Sequence, residues 1–72
     1  MSAYLVVVEG DGQTNYSAYC PDLPGVVATG STVEECAAEM ADAIAFHIES
    51  LRNHGESVPK PTSRAVTVEV AA

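Results

Sequence analysis

The fold of this chain is decided by residues 31–54, which read STVEECAAEMADAIAFHIESLRNH. Apolar residues recur in this stretch at intervals of three and four, the spacing that places side chains on one face of an α-helix. The apolar positions are Val33, Cys36, Ala37, Met40, Ile44, Ile48 and Leu51. We therefore predict one long helix whose apolar face packs against the rest of the domain.

Both ends of the predicted helix carry their own signals. The segment STVE at residues 31–34 has the spacing of a capping box, in which the Ser31 hydroxyl accepts a hydrogen bond from the Glu34 amide. At the other end, Arg52 and then Gly55 are residue types that favour a helix C-terminus. We expect the helix to begin directly after Ser31 and to end shortly before Gly55.

Three strands are predicted before the helix. Residues 4–9 (YLVVVE) and 15–20 (NYSAYC) favour two strands joined by a short turn, as in a β-hairpin. Residues 21–25 (PDLPG) contain two prolines and a glycine and predict a rigid turn. A short third strand is predicted at residues 26–29 (VVAT). The nearly continuous apolar character of the first strand is typical of a central strand covered on both faces.

A fourth strand is predicted after the helix, because residues 65–70 (AVTVEV) alternate with period two. The order strand, strand, strand, helix, strand defines an α+β fold: a three-stranded antiparallel meander, one long helix on one sheet face, then a fourth strand. With 72 residues, the chain is expected to be a single domain spanning residues 1–72.

One helix covers only one face of such a sheet, so the other face has to meet water, a second subunit or a partner. Alternation groups Leu5 with Val7, and we expect them to share the uncovered face with Tyr19, as part of a subunit or partner interface. A domain this short also buries a small fraction of its surface. We therefore expect a homodimer or a higher homo-oligomer.

The charge distribution excludes several functions. Three basic residues stand against ten acidic ones, giving a net charge of −7, and the first 51 residues contain no lysine or arginine. Proteins that bind nucleic acid or anionic membranes rely on basic residues, so neither is an expected partner. The longest purely apolar run is too short to span a bilayer, and no segment resembles a signal peptide, so we expect a cytoplasmic protein.

No residues form a pattern typical of a catalytic, cofactor-binding or metal site. Cys20 and Cys36 fit neither the CxxC motif nor the spacing of zinc ligands, and we expect both to be reduced and partly buried. Glu9 and Asp22 are carboxylates close to strand ends, but antiparallel neighbours finish at opposite sheet edges. A metal-dependent nuclease, which needs converging carboxylates, is therefore disfavoured.

Two motifs resemble the HicB antitoxin family: YCPDLPG at residues 19–25, followed by GSTVEE at residues 30–35. The resemblance runs from about Tyr4 to Pro61 and includes His47 on the predicted helix. It implies a partial ribonuclease-H-like fold with sheet order 3-2-1-4, in which the first strand is central. This position agrees with the apolar character of that strand.

The family resemblance also implies a function. HicB antitoxins bind and neutralise HicA, a small ribonuclease that cleaves mRNA. Many of them carry a C-terminal DNA-binding domain, which we do not expect here, so the chain is similar to the stand-alone single-domain members. The alternative is an orphan oligomeric module that binds an unknown ligand and has no cognate toxin.

Acidic side chains are the candidate contacts with such a toxin, because an RNA-cleaving enzyme presents a basic surface to its substrate. The candidates are Asp22 in the proline-containing turn and Glu35, Glu39, Asp42 and Glu49 on the helix. The simpler interpretation is that these carboxylates only form a solvated surface.

Overall fold

The computed structural model describes residues 2–72, in which three strands precede one long helix. Strand β1 spans Val7–Glu9, β2 spans Tyr16–Tyr19 and β3 spans Val27–Gly30, and helix α1 spans Val33–Asn53. The strands form an antiparallel sheet in the order β1-β2-β3. This arrangement confirms the predicted α+β class, the meander and the single long helix.

The helix packs on the sheet face that carries small side chains. Val8, Ala18 and Ala28 are directly opposite one another on the three strands, and all three belong to the core or pack against it. From the helix, Cys36 and Met40 enter this core and are fully buried. Because strand residues alternate between faces, this row also fixes which residues lie on the uncovered face.

The turn between β2 and β3 supplies a core residue of its own. Leu23 is fully buried, and its amide donates a hydrogen bond to the Cys20 carbonyl while its carbonyl accepts one from Val26. Gly25 completes the turn with a φ of 87°, a left-handed conformation that favours glycine. The rigid turn predicted at residues 21–25 therefore also inserts a side chain beneath the helix.

The helix N-terminus differs by one residue from the predicted capping box. Thr32, rather than Ser31, is the N-cap, and its hydroxyl accepts a hydrogen bond of 3.0 Å from the Glu35 amide. The Ser31 hydroxyl instead donates to the Glu35 carboxylate at 2.6 Å. Both hydroxyls have a glutamate three residues later, so the sequence pattern allows either register.

The helix C-terminus confirms the predicted stop before Gly55. The amide of Glu56 donates to the Leu51 carbonyl at 2.9 Å, and that of Gly55 donates to the Arg52 carbonyl at 3.0 Å. Gly55 has a φ of 70°. This pair of bonds around a left-handed glycine is the Schellman motif, which satisfies carbonyls at the end of a helix.

The predicted fourth strand is not present in the described part of the chain, where the sheet has three strands and β1 is at an edge. Residues 65–70 are exposed, with Val66, Val68 and Val70 at 81, 71 and 76% exposure. Alternation makes a segment suitable for a strand, but pairing also needs a sheet edge within reach. The sheet order 3-2-1-4 and the ribonuclease-H-like fold are accordingly not confirmed.

The observed cap leads to a stability prediction. Thr32→Ala removes the acceptor for the Glu35 amide and should lower the free energy of unfolding by about 1 kcal/mol, as measured by urea denaturation. Thr32→Ser keeps the acceptor and is the matched control. Ser31→Ala removes only a hydrogen bond between exposed side chains, so an equal or larger loss with this variant would contradict the assigned cap.

Candidate protein-binding surfaces

The sheet face opposite the helix carries an apolar row that crosses all three strands. Val7 pairs with Tyr19, and Tyr19 pairs with Val27, so these side chains are neighbours on one face. Tyr19 is 43% exposed and Val27 is 67% exposed. We call this region, together with Leu5, the outer sheet face.

Leu5 is assigned to this face by exclusion. Tyr4, Val6 and Val8 pack against the core from the helix side, so the intervening Leu5 and Val7 point the other way, and both are half-buried. The structure thus brings together the three residues predicted to share the uncovered face. Sequence reasoning missed Val27, because its neighbours Val26 and Ala28 are also apolar and alternation gives no direction there.

The exposed side of the helix carries the four predicted carboxylates in one line. Residues spaced by three or four positions are neighbours along a helix surface. Glu35, Glu39, Asp42 and Glu49 follow this spacing, with one gap at position 46, and all four are exposed. We call this line the acidic stripe; over its 15 residues it extends roughly 21 Å along the helix axis.

Phe46 fills the gap in the acidic stripe. It follows Asp42 by four residues and precedes Glu49 by three, so it is adjacent to both on the helix surface. Its side chain is 75% exposed. A large exposed aromatic ring within a charged line is a typical anchor for a protein partner. The residue was missed in the sequence, although the intervals 35-39-42-46-49 place it on the same line as the carboxylates.

One member of the acidic stripe also stabilises the helix start. The Glu35 carboxylate accepts the 2.6 Å hydrogen bond from Ser31, and its amide donates to Thr32. An acidic side chain in the first turn also interacts favourably with the helix dipole. Glu35 therefore has a structural role beside any contact with a partner.

Asp22 holds the segment that follows the helix. Its Oδ2 accepts hydrogen bonds of 3.0 Å from the backbone amides of Thr62 and Ser63. Its Oδ1 accepts bonds of 3.0 and 2.9 Å from the hydroxyls of the same two residues. These four bonds use the accepting capacity of an ionised carboxylate. We call this arrangement the Asp22 anchor.

The pKa of the Asp22 carboxyl is lowered from its ordinary value of 3.8. The main cause is the hydrogen bond from the Ser63 amide, which favours the ionised form, and the two hydroxyls and the Thr62 amide act in the same direction. Partial burial opposes them. Sequence reasoning could not find the anchor, since its donors lie 40 and 41 residues away. A contact of Asp22 with a toxin stays a prediction.

A shallow cleft of about 620 Å³ lies between the start of the chain and the C-terminal half of the helix. Ile44 and Ile48 form an apolar wall, Tyr4 closes one side and Arg52 is the charged residue of the lining. The Tyr4 hydroxyl donates to the Pro59 carbonyl, which ties the post-helix segment to this side. An apolar cleft with one cation suits a small molecule that carries an anionic group.

Within residues 2–72, the structure brings no three histidine, cysteine, aspartate or glutamate side chains together as a potential metal site. Cys20 and Cys36 are free and buried. In the same range, no helix is both long enough and apolar enough to cross a bilayer.

Comparison with known proteins identifies the family. The model of the HicB-like antitoxins of bacterial toxin-antitoxin systems matches residues 4–71. The chain belongs to this HicB-like antitoxin family, as the resemblance of its turn and helix start implied.

Two relatives match most of this chain. The UPF0150 protein Ta0767 of Thermoplasma acidophilum is 34% identical over 65 residues, covering 90% of this chain and 94% of its own. The UPF0150 protein ssr1765 of a Synechocystis strain is 39% identical over 57 residues, covering 79% of this chain and 72% of its own. These UPF0150 homologues belong to the same family.

The Asp22 anchor leads to a prediction about pH. Because the pKa of Asp22 is lower in the folded chain, the anchor stabilises the fold above the ordinary pKa of 3.8 and loses this effect as the pH falls through the folded value. We expect the amides of Thr62 and Ser63 to lose protection from hydrogen exchange, measured by NMR, as the pH falls below 3.8.

Asp22→Asn provides the control for this titration. The NH2 of asparagine is itself a donor and cannot accept hydrogen bonds from the amides and hydroxyls of Thr62 and Ser63. The protection of these two amides should therefore already be low at neutral pH and should change little on acidification. Protection that persists in the variant, or that is unchanged in the native chain at the lowest pH, would contradict the anchor.

Proposed function

We propose that this protein is an antitoxin that binds and neutralises a HicA-type mRNA ribonuclease by masking its basic surface, with no catalytic activity of its own. Family membership supports a role in a toxin-antitoxin system. The observation that carries the masking mechanism is the acidic stripe, which runs along the exposed side of the helix with Phe46 inside it.

Electrostatic complementarity supports this choice of partner. A ribonuclease holds the phosphates of its substrate with lysine and arginine side chains. The acidic stripe offers four carboxylates on a helix whose first basic residue is Arg52, near its C-terminus. Opposite charges on two approaching surfaces accelerate association and disfavour wrong partners. A bound antitoxin would then cover the toxin surface that otherwise contacts RNA.

Phe46 supplies the binding affinity that exposed carboxylates alone do not provide. Exposed ion pairs contribute little net affinity, commonly below about 1 kcal/mol each. An aromatic ring that becomes buried at the centre of an interface contributes much more. We propose that Phe46 enters an apolar pocket of the toxin while the acidic stripe pairs with the basic residues around that pocket.

The outer sheet face is assigned to self-association. It is apolar, crosses three strands and lies opposite the helix, so one copy can use it while the acidic stripe contacts a toxin. We propose a homodimer or higher homo-oligomer that contacts through Leu5, Val7, Tyr19 and the added Val27. The short domain gains buried apolar surface by this assembly.

A second candidate function is supported by the cleft beside Arg52. In this alternative the chain is an orphan regulatory module that binds a small amphipathic anion and has no cognate toxin. The two functions use different sides of the helix, since the cleft is lined by Ile44 and Ile48 whereas the acidic stripe lies on the exposed side. Variants of one surface therefore leave the other intact.

The masking mechanism is tested by charge reversal. Co-expression with the HicA-type toxin from a neighbouring reading frame should restore growth, and Glu39→Lys/Asp42→Lys should abolish this protection and weaken the salt-dependent binding. The control Glu9→Lys/Glu56→Lys changes the net charge equally at exposed positions outside the acidic stripe. Growth arrest that is the same with and without the native chain would refute the antitoxin function itself.

The anchor role of Phe46 is tested separately. Phe46→Ala should raise the dissociation constant of the toxin complex at least tenfold, as expected for an interfacial aromatic worth about 2 kcal/mol. Because the ring is 75% exposed, the free energy of unfolding should stay nearly constant. Isothermal titration calorimetry and urea denaturation measure the two quantities. Unchanged affinity would place the interface elsewhere.

A further inference from the structure

Residues 65–70, which we call the tail, are strand-like but unpaired in the described chain. Val66, Val68 and Val70 alternate with Thr67 and Glu69, a pattern typical of a strand with one apolar face. The three valines are between 71 and 81% exposed. A row of β-branched side chains left in water is the surface that strand pairing would bury.

Strand β1 has an apolar composition and a free edge in the described sheet. Residues 5–8 (LVVV) are apolar on both faces, which is typical of a central strand, yet β1 forms an edge of the sheet. Natural edge strands are commonly protected by charges, prolines or bulges because their free backbone groups pair readily with other strands. Within residues 5–9 the one charged side chain is Glu9, at the end of β1, so most of this edge is unprotected and suited to receive another strand.

In the described chain the tail does not pair with its own β1, which stays at an edge of the sheet. The Asp22 anchor holds Thr62 and Ser63 at the turn between β2 and β3, and the tail begins two residues later. In the sheet order β1-β2-β3, this turn lies on the side away from the free edge of β1. From there the six exposed residues of the tail can reach roughly 20 Å when extended.

We propose that two copies of this chain exchange tails, each tail pairing as a fourth strand with the β1 edge of the other copy. The exchange gives β1 the central position that its composition favours and buries the exposed valines. It is also continuous with the outer sheet face, because Leu5 and Val7 lie next to the receiving edge. The inference uses the self-association part of the proposed function and does not require a toxin.

Solution mass is the first test, measured on the purified full chain by light scattering at several concentrations. The native chain should be a dimer or a multiple of a dimer, and Val68→Pro should shift it to a monomer because proline lacks the amide donor and disrupts strand pairing. The helical circular dichroism should not change, since residues 65–70 are all exposed in the single chain. Val68→Thr, which keeps a β-branched side chain and the amide, should retain the native mass.

Each alternative outcome is distinct. If Val68→Pro has the same solution mass as the native oligomer and Tyr19→Asp is a monomer, assembly uses the outer sheet face alone. This result would overturn the exchange of tails. A native chain that is monomeric at every concentration would overturn both. Neither result affects toxin neutralisation, which the co-expression experiment measures separately.

Cross-linking identifies the partner of the tail. Val68→Cys chains labelled with heavy isotopes are mixed with unlabelled Val7→Cys chains, refolded together and treated with a short bis-maleimide. The native Cys20 and Cys36 are buried and should not react in the folded protein. A heavy-to-light cross-link between positions 68 and 7 is expected. Efficient cross-linking of Val68→Cys chains to each other would overturn the proposal. So would a cross-link between positions 7 and 68 within one chain that carries both Val7→Cys and Val68→Cys.

Discussion

A β-carbon on Gly30 would lie 2.9 Å from the Cys36 amide nitrogen and 3.0 Å from the Glu35 β-carbon. Only glycine therefore allows β3 to pass into the helix through the two residues Ser31 and Thr32, with the first turn held directly against the strand end. From this start of the helix, Cys36 and then Met40 enter the same buried cluster as Ala18. The position of the helix over the covered face of the sheet therefore depends on Gly30.

Because one helix covers one sheet face, the remaining surfaces have different chemical characters. The exposed side of the helix is acidic around Phe46, whereas the outer sheet face is apolar around Tyr19. Apolar surfaces favour permanent contacts between copies, and charged surfaces with an aromatic centre favour selective contacts with other proteins. The fold thus gives a very small domain two exposed surfaces of different chemistry, one for each of the two contacts proposed above.

The helix and the first three strands could be predicted from sequence because apolar periodicity is a local property. The cap register could not, since Ser31 and Thr32 both have a glutamate three residues later and only the backbone geometry selects Thr32. Among the surface residues, the carboxylates of the acidic stripe were predicted from their charge, whereas Phe46 was missed because an aromatic residue in a helix is usually core. Whether residues 65–70 form a strand depends on a sheet edge within reach, and alternation along the chain carries no information about such an edge.

The Asp22 anchor also has a consequence for how freely the turn between β2 and β3 can vary in length. Leu23 fills the core and the neighbouring Asp22 holds the chain 40 residues later, so adjacent side chains fix two different parts of the molecule. An inserted or deleted residue would move one of them out of place even if the turn closed again. Most surface loops tolerate insertions, but the length of this turn is fixed by both the buried Leu23 and the Asp22 anchor. Related chains that keep both contacts should therefore vary in the sequence of this turn and not in its length.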